Sequence, residues 1–211
     1  MNIINQNQIR ILTWNVGVFQ PLTYLKSLGL KIKNHNIEHE FFYKHNGSFV
    51  SEYIDSINPD VIILQEILCM SDVDNISICK KYLHQILLRT WGDNNIFVAS
   101  RFPIRDTISE NKFHILDINN TSIVPLHLNS FSSKKRLGEV RSLLQDFKII
   151  NNLVFIGDTN LWERKKKFLF SNDKIAYNKL VEYFNEATCD IISTHWLGAS
   201  IDKIFHTDDI K

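Results

Sequence analysis

The sequence predicts an α/β sandwich in which helices cover sheets. Three observations carry this expectation. Short apolar strand segments recur along the whole chain, three helical segments separate some of them, and several connections have hairpin chemistry. A purely parallel, doubly wound sheet would lack the hairpins.

Taken in order, Ile9 to Trp14 is the first strand segment, ending in Asn15 and followed by Gly17. Beyond Pro21, the polar, His- and Asn-rich stretch from Lys31 to Asn46 reads as a surface excursion. Phe49, Tyr53, Ile54 and Ile57 recur at helical spacing, and Asn58-Pro59 ends that helix. Asp60 to Gln65 is an almost wholly apolar strand of the kind covered on both faces, and it delivers Glu66 to its end. Tyr82 to Arg89 and Asn95 to Ser100 are strands joined across Gly92-Asp93-Asn94, and Arg101 to Ile104 closes the second. Phe113 to Ile118 and Ser122 to Leu128 form another hairpin around Asn119-Asn120. Leu137, Val140, Leu144 and Phe147 make an apolar stripe, which predicts a helix over Ser133 to Lys148 packed on a sheet. Leu153 to Ile156 is a buried strand bounded by Asn151-Asn152 and Gly157. There the backbone is expected to break into a tight loop presenting Asp158 and Asn160. Ile175 to Phe184 predicts a further helix, and Ser200 to Phe205 a last strand. No internal repeat, linker or low-complexity segment interrupts the 211 residues, so residues 1–211 read as one domain.

Composition excludes several classes. With 44% hydrophobic and 22% charged residues the chain is neither disordered nor a membrane protein, and no apolar run approaches the roughly 20 residues of a membrane span. Nothing at the N-terminus reads as a secretory leader, so an intracellular, cytoplasmic protein is expected. Cys69, Cys79 and Cys189 are odd in number and lack paired metal-ligand spacing, which fits a reducing compartment and no zinc site. The net charge of +1 leaves only local basic patches, Lys134-Lys135-Arg136 and Arg164 to Lys167, each with a solvated face as its plainer reading.

At four strand ends a polar residue follows an apolar run: Asn15, Glu66, His127 with Asn129, and Asp158 with Asn160. Each has a bland alternative, as a turn residue or a satisfied structural histidine. Together they are what a site converging at a sheet edge would display. Carboxylates and amides are hard oxygen ligands suited to Mg²⁺ and a substrate phosphate.

Block by block, these motifs resemble the endonuclease/exonuclease/phosphatase superfamily. Leu12-Thr13-Trp14-Asn15-Val16 is similar to its first strand, and Pro59 to Glu66 to its most recognisable signature. Asn95 to Ile104 resembles its core strand and arginine-proline turn, and His127-Leu128 its phosphate-contacting histidine. Arg141 falls where a helix arginine commonly follows. Gly157-Asp158-Thr159-Asn160 resembles the catalytic loop, and Ile201 to Phe205 the penultimate strand. The Gly157 to Leu161 loop, the His127 to Ser130 strand end and the Lys134 to Arg141 helix start are similar to those of the tyrosyl-DNA phosphodiesterase 2-like group.

The resemblance implies a two-sheet, deoxyribonuclease I-like sandwich. It also implies Mg²⁺-dependent hydrolysis of a nucleic acid phosphodiester, a 5′-tyrosyl-DNA linkage or DNA end among the candidates, with Mn²⁺ as the alternative ion. Glu66 and Asn15 would hold the metal, Asp158 would handle the attacking water, and Asn160 and His127 would contact the phosphoryl group. Asn129, Arg141 and Trp162 are the candidate substrate contacts. DNA is expected over RNA as partner, with no membrane and a monomeric state. Other readings are a phosphatase or phospholipase of the same superfamily, or a weakly catalytic binding module. Two departures qualify the resemblance: Gly17 stands where relatives often carry Asp, and the superfamily's closing Ser-Asp-His has no counterpart in the nine residues after Asp202. The expectation is a chain truncated at its C-terminus and lacking the last strand, or a site without that histidine, with Asp202 then structural. Trp162 and Lys165 would stack on and attract a strand or, as the favoured reading, begin a solvated helix. His195 and Trp196 would touch substrate or pack.

Overall fold

In the computed structural model the apolar runs of the first half build one mixed sheet and those of the second half another. Residues 9–16, 50–67, 73–74, 76–89, 95–164, 167–188 and 200–208 are described. They fall into two compact units, Met1–Pro103 and Ile104–Lys211. The chain is therefore α/β, as the alternation of segments predicts.

In the first unit, β1 (Ile11–Asn15) pairs in parallel with β2 (Val61–Ile67), which pairs antiparallel with β4 (Asn95–Ser100) and through it with β3 (His84–Leu88). Helix α1 covers residues 50–57. It stops because Asn58 takes a left-handed φ of 51°, its N–H closing on the Ile54 carbonyl, and Pro59 has no N–H to continue. The expected strand Val61 to Gln65 is buried throughout, because Ile62 and Leu64 join a core with Ile54, Ile67 and Phe97 while Val61 and Ile63 are equally covered. The Gly92 turn and the Lys31 to Asn46 stretch lie outside the described residues, as do Gly17, Cys69, Cys189, His195 and Trp196.

In the second unit, β5 (Arg105–Ile108), β6 (His114–Ile118) and β7 (Thr121–His127) form an antiparallel meander. Asn119 and Asn120 have φ of 48° and 64°, the paired left-handed geometry of a two-residue hairpin. Helix α2 (Ser133–Phe147) then returns the chain to β8 (Leu153–Arg164), parallel to β7. A short β9 (Lys167–Phe168), helix α3 (Ser171–Val181), a two-residue β10 (Asn185–Glu186) and β11 (Ser200–His206) follow. The sheet order is β10-β11-β8-β7-β6-β5, with β9 attached to β8. Leu137, Val140, Leu144 and Phe147 of α2 pack on Val124, Leu126, Phe155 and Phe205 of the sheet, as the stripe predicts.

Several expectations need correction. The strand before Gly157 does not end there: β8 runs on to Arg164, still paired to β7 and β11 at Asp158. Gly157 takes a φ of 140° within the continuing ladder, a conformation open to glycine. Trp162 consequently belongs to a strand, not to a helix start, and Glu163 and Arg164 turn back against Phe168 and Lys167. Helix α3 begins four residues before Ile175, because Asp173 in its first turn is drawn inward by Arg136. Arg136 is accordingly 1% exposed, and Lys134-Lys135-Arg136 is not a uniformly solvated triplet. The polar edge strand β5 and the two-residue β9 and β10 have too little apolar pattern to be read from sequence.

Candidate active site

Two groups of the expected residues are described, one in each unit. In the first, the parallel register pairs Trp14 with Leu64 and Asn15 with Gln65, bringing the end of β1 beside Glu66. Asn15 Nδ2 donates to Glu66 Oε1 at 3.0 Å, fixing the carboxylate's rotation with an amide. Gln65 is wholly buried, and its Nε2 donates to Thr13 Oγ1 at 2.8 Å, so the β1–β2 pair is cross-linked just before the site.

Glu66 has a φ of 61°, where a residue with a Cβ is strained. It sits at a bulge: Gln65 faces Ile96 and Ile67 faces Asn95, so Glu66 is the extra residue of β2. The bulge lets Gln65 and Ile67 both point into the interior and turns the half-buried Glu66 away from it. Such strain, of order 1–3 kcal/mol, persists where its surroundings over-determine the backbone, and it concentrates at functional sites.

In the second unit, β7 and β8 run in parallel with His127 opposite Asp158, and Asp202 of β11 faces Asp158 from the other side. The Leu128 N–H donates to the Asp158 carbonyl at 2.9 Å. One residue further the backbone changes course: the Asn160 N–H donates to Asp158 Oδ1 at 2.8 Å, and Asn160, at φ 49°, donates through Nδ2 to the Leu128 carbonyl at 3.0 Å. Asp158, Thr159 and Asn160 are 2%, 0% and 5% exposed. A buried carboxylate and amide, each bonded to backbone, are preorganised and lose little freedom when a ligand binds. His127, half-buried, ends β7 one residue before Leu128, which donates to the Asp158 carbonyl and accepts from Asn160 Nδ2.

The remaining expected contacts are placed differently. Asn129 Oδ1 accepts from the N–H groups of Phe131 and Ser132 at 3.2 and 2.8 Å, and its own N–H donates to Glu139 Oε2 at 2.9 Å. Its side chain therefore shapes the turn into α2. Burial pushes the Glu139 carboxyl up from its ordinary value, against the lowering effect of that N–H and of Arg136 and Lys135. Arg141 is on the exposed face of α2, and Trp162 donates its backbone N–H to Asp173 Oδ2 at 3.3 Å.

Sequence reasoning placed Arg136 in a basic patch with Lys134 and Lys135 and missed its burial. Its guanidinium binds Asp173 in a two-pronged pair at 2.9 and 2.8 Å and donates to the carbonyls of Asn129 and Ser130 at 2.8 and 3.3 Å. The one sequence signal was its place at the start of the apolar stripe, one residue before Leu137.

No protein-family model and no curated protein sequence matches the chain. Solved structures do. An AP endonuclease from Archaeoglobus fulgidus aligns at 18% identity over 76% of this chain and 81% of that one, with a TM-score of 0.59. D. rerio TDP2 complexed with a single-strand DNA product aligns at 16% over 96% and 85%, with a TM-score of 0.63. SmcL aligns at 16% over 94% and 83%, also at 0.63. At such identities the likeness is one of fold. The chain therefore has an α/β fold of the endonuclease/exonuclease/phosphatase type.

Proposed function

We propose that the protein is a metal-dependent phosphodiesterase acting on nucleic acid, with DNA as the first substrate to test. The observation that carries the reading is the bonded turn of β8, where Asp158 and Asn160 are buried and tied to the end of the strand bearing His127. The DNA product held by the TDP2 neighbour supports the choice of nucleic acid.

The donor chemistry suits a hard divalent cation, Mg²⁺ or Mn²⁺: a carboxylate whose rotation is set by an amide, with no sulfur among the expected ligands. Glu66 and Asn15 would hold it, and when bound it would supply Lewis-acid stabilisation of the phosphoryl oxygens. Asp158 orients the attacking water and accepts its proton, while the Asn160 N–H holds the Asp158 carboxylate and its side-chain amide donates toward the phosphoryl group. His127 donates to a non-bridging oxygen, and Arg141 and Trp162 are the outer substrate contacts.

The test is turnover of a 5′-phosphotyrosyl oligonucleotide, of abasic, single- and double-stranded DNA and RNA, and of an inositol phosphate and sphingomyelin, each with Mg²⁺, Mn²⁺ or EDTA. The expected result is metal-dependent cleavage of a DNA substrate, reduced on the order of 10²–10⁴ by Asp158→Asn and 10²–10³ by Asn160→Ala. Turnover of only the lipid or inositol phosphate would reject the nucleic-acid reading. A melting temperature raised by Mg²⁺ without turnover of any substrate would leave a binding module in its place.

A further inference from the structure

Phe131 is 98% exposed, yet the backbone that carries it is held on both sides. Its own N–H and that of Ser132 donate to Asn129 Oδ1, and the carbonyls of Asn129 and Ser130 accept from the Arg136 guanidinium. Arg136 in turn is buried and fixed by two bonds to Asp173. A large apolar ring left in water forgoes roughly 1.5–3 kcal/mol of burial, and a mobile loop would let it fold back onto the surface. Here it is presented on a fixed stem instead.

Its surroundings suggest what it meets. Phe170 lies over the same guanidinium, with Cζ 5.9 Å from the ring centroid, and is itself 47% exposed. Ser132 caps α2 by accepting the Lys135 N–H, and the first turn of that helix holds exposed Lys134 and Lys135 and no acidic residue. A flat aromatic surface beside two exposed lysines in the first turn of a helix complements a strand that offers bases and phosphates together. It lies four residues beyond His127, on the chain leaving the proposed site.

We propose that Phe131 is a stacking platform for an unpaired base of a nucleic acid strand whose phosphates are received by Lys134 and Lys135. The inference rests on the nucleic-acid reading above and names the single-stranded part of the substrate as what this surface binds.

The test measures binding of a single-stranded oligonucleotide carrying 2-aminopurine, by anisotropy and by base fluorescence, in EDTA so that cleavage is absent. Phe131→Ala is expected to weaken binding between about 5- and 100-fold, the range for losing one base–aromatic stack, and to abolish fluorescence quenching at one position of the strand. Phe131→Trp should restore both, whereas Phe131→Leu, apolar without a π-face, should not. Ile149→Ala, another exposed apolar site of the same unit, serves as the control and should bind as wild type. Replacing Lys134 and Lys135 with alanine should reduce the slope of log affinity against log salt by about 1.4.

Wild-type affinity in Phe131→Ala, or full restoration by leucine, would overturn the proposal while leaving metal-dependent cleavage of nucleic acid intact. A wild-type protein that binds no single strand and turns over only lipid would overturn both. Loss of binding to phosphatidylcholine vesicles in Phe131→Ala, with oligonucleotide binding retained, would assign the ring to a lipid surface and overturn it as well.

Discussion

Glu66 combines a charge that the sequence makes conspicuous with a backbone that it conceals. Its position after Val61 to Gln65 marks a strand-end carboxylate, but the left-handed φ of 61° arises only because β2 must bulge against β4 to keep both Gln65 and Ile67 inside. Glu66→Gly should therefore be neutral or stabilising by up to about 1 kcal/mol, since glycine accepts that conformation. Glu66→Val should cost at least about 1 kcal/mol, because a β-branched residue tolerates positive φ worst. Denaturant midpoints in metal-free buffer rank the variants, and a glycine variant less stable than the valine one would contradict the strain.

Glu186 makes the opposite kind of prediction, about pH. Burial by itself would push its carboxyl up, but the hydrogen bond from Tyr177, the attraction and bond of Lys203 and the bond from Thr188 outweigh it, so its value falls below the ordinary 4.5. A carboxyl held below its unfolded value contributes stability that is fully present above about pH 4.5 and fades as pH falls through the lowered value. Lys203 is 1% exposed and reaches Glu186 at 3.0 Å and Glu163 at 2.9 Å. Glu186→Gln should thus cost about 1–3 kcal/mol at pH 7, and the gap from wild type should narrow on acidification below 4.5. A gap independent of pH in urea titrations would reject the linkage.

At the scale of elements, the Arg136–Asp173 pair fastens the starts of α2 and α3 to each other and to backbone leaving β7 and β8. Both side chains are essentially unexposed, at 1% and 0%. Removing one partner strands the other charge in a poorly hydrated place. Arg136→Met or Asp173→Leu alone should cost about 3–5 kcal/mol, whereas the double replacement should recover much of the loss. Equilibrium unfolding of the four proteins measures the coupling, and additive losses would show that the pair is not energetically linked. Neither the pair nor the early start of α3 was legible, because Ser171-Asn172-Asp173 is turn-like in isolation and becomes helical through a contact 37 residues away in sequence. The opposite holds for α2, whose apolar stripe fixes both its type and its buried face.

At the scale of the molecule, the described residues of each unit form one core and one sheet. Protection from amide exchange should follow strand position. Strands β2 and β4 of the first unit and β7 and β8 of the second have neighbours on both sides, and they should exchange slowest, near the global unfolding free energy of their unit. The edge strands β1 and β3 of the first sheet and β5 and β10 of the second should exchange faster than the interior strands. In β8, protection should extend past Gly157 as far as Leu161, which is wholly buried; rapid exchange from Asp158 onward would mean that the strand ends where its sequence suggests.

By itself the sequence determined the α/β class, the hairpin at Asn119-Asn120 and the face of α2, and it singled out Asn15, Glu66, His127, Asp158 and Asn160 as candidates for a site. These follow from local periodicity, turn chemistry and the chain order of short motifs, all properties of neighbouring residues. The tertiary structure alone decided that Glu66 occupies a bulge and that β8 continues through Gly157 without breaking. It also decided that Asn129 shapes a turn, that Arg136 is buried against Asp173 and that Phe131 is left in water. Each of those outcomes depends on what a distant segment brings alongside: a neighbouring strand's register, a carboxylate from another helix, or the absence of any covering side chain.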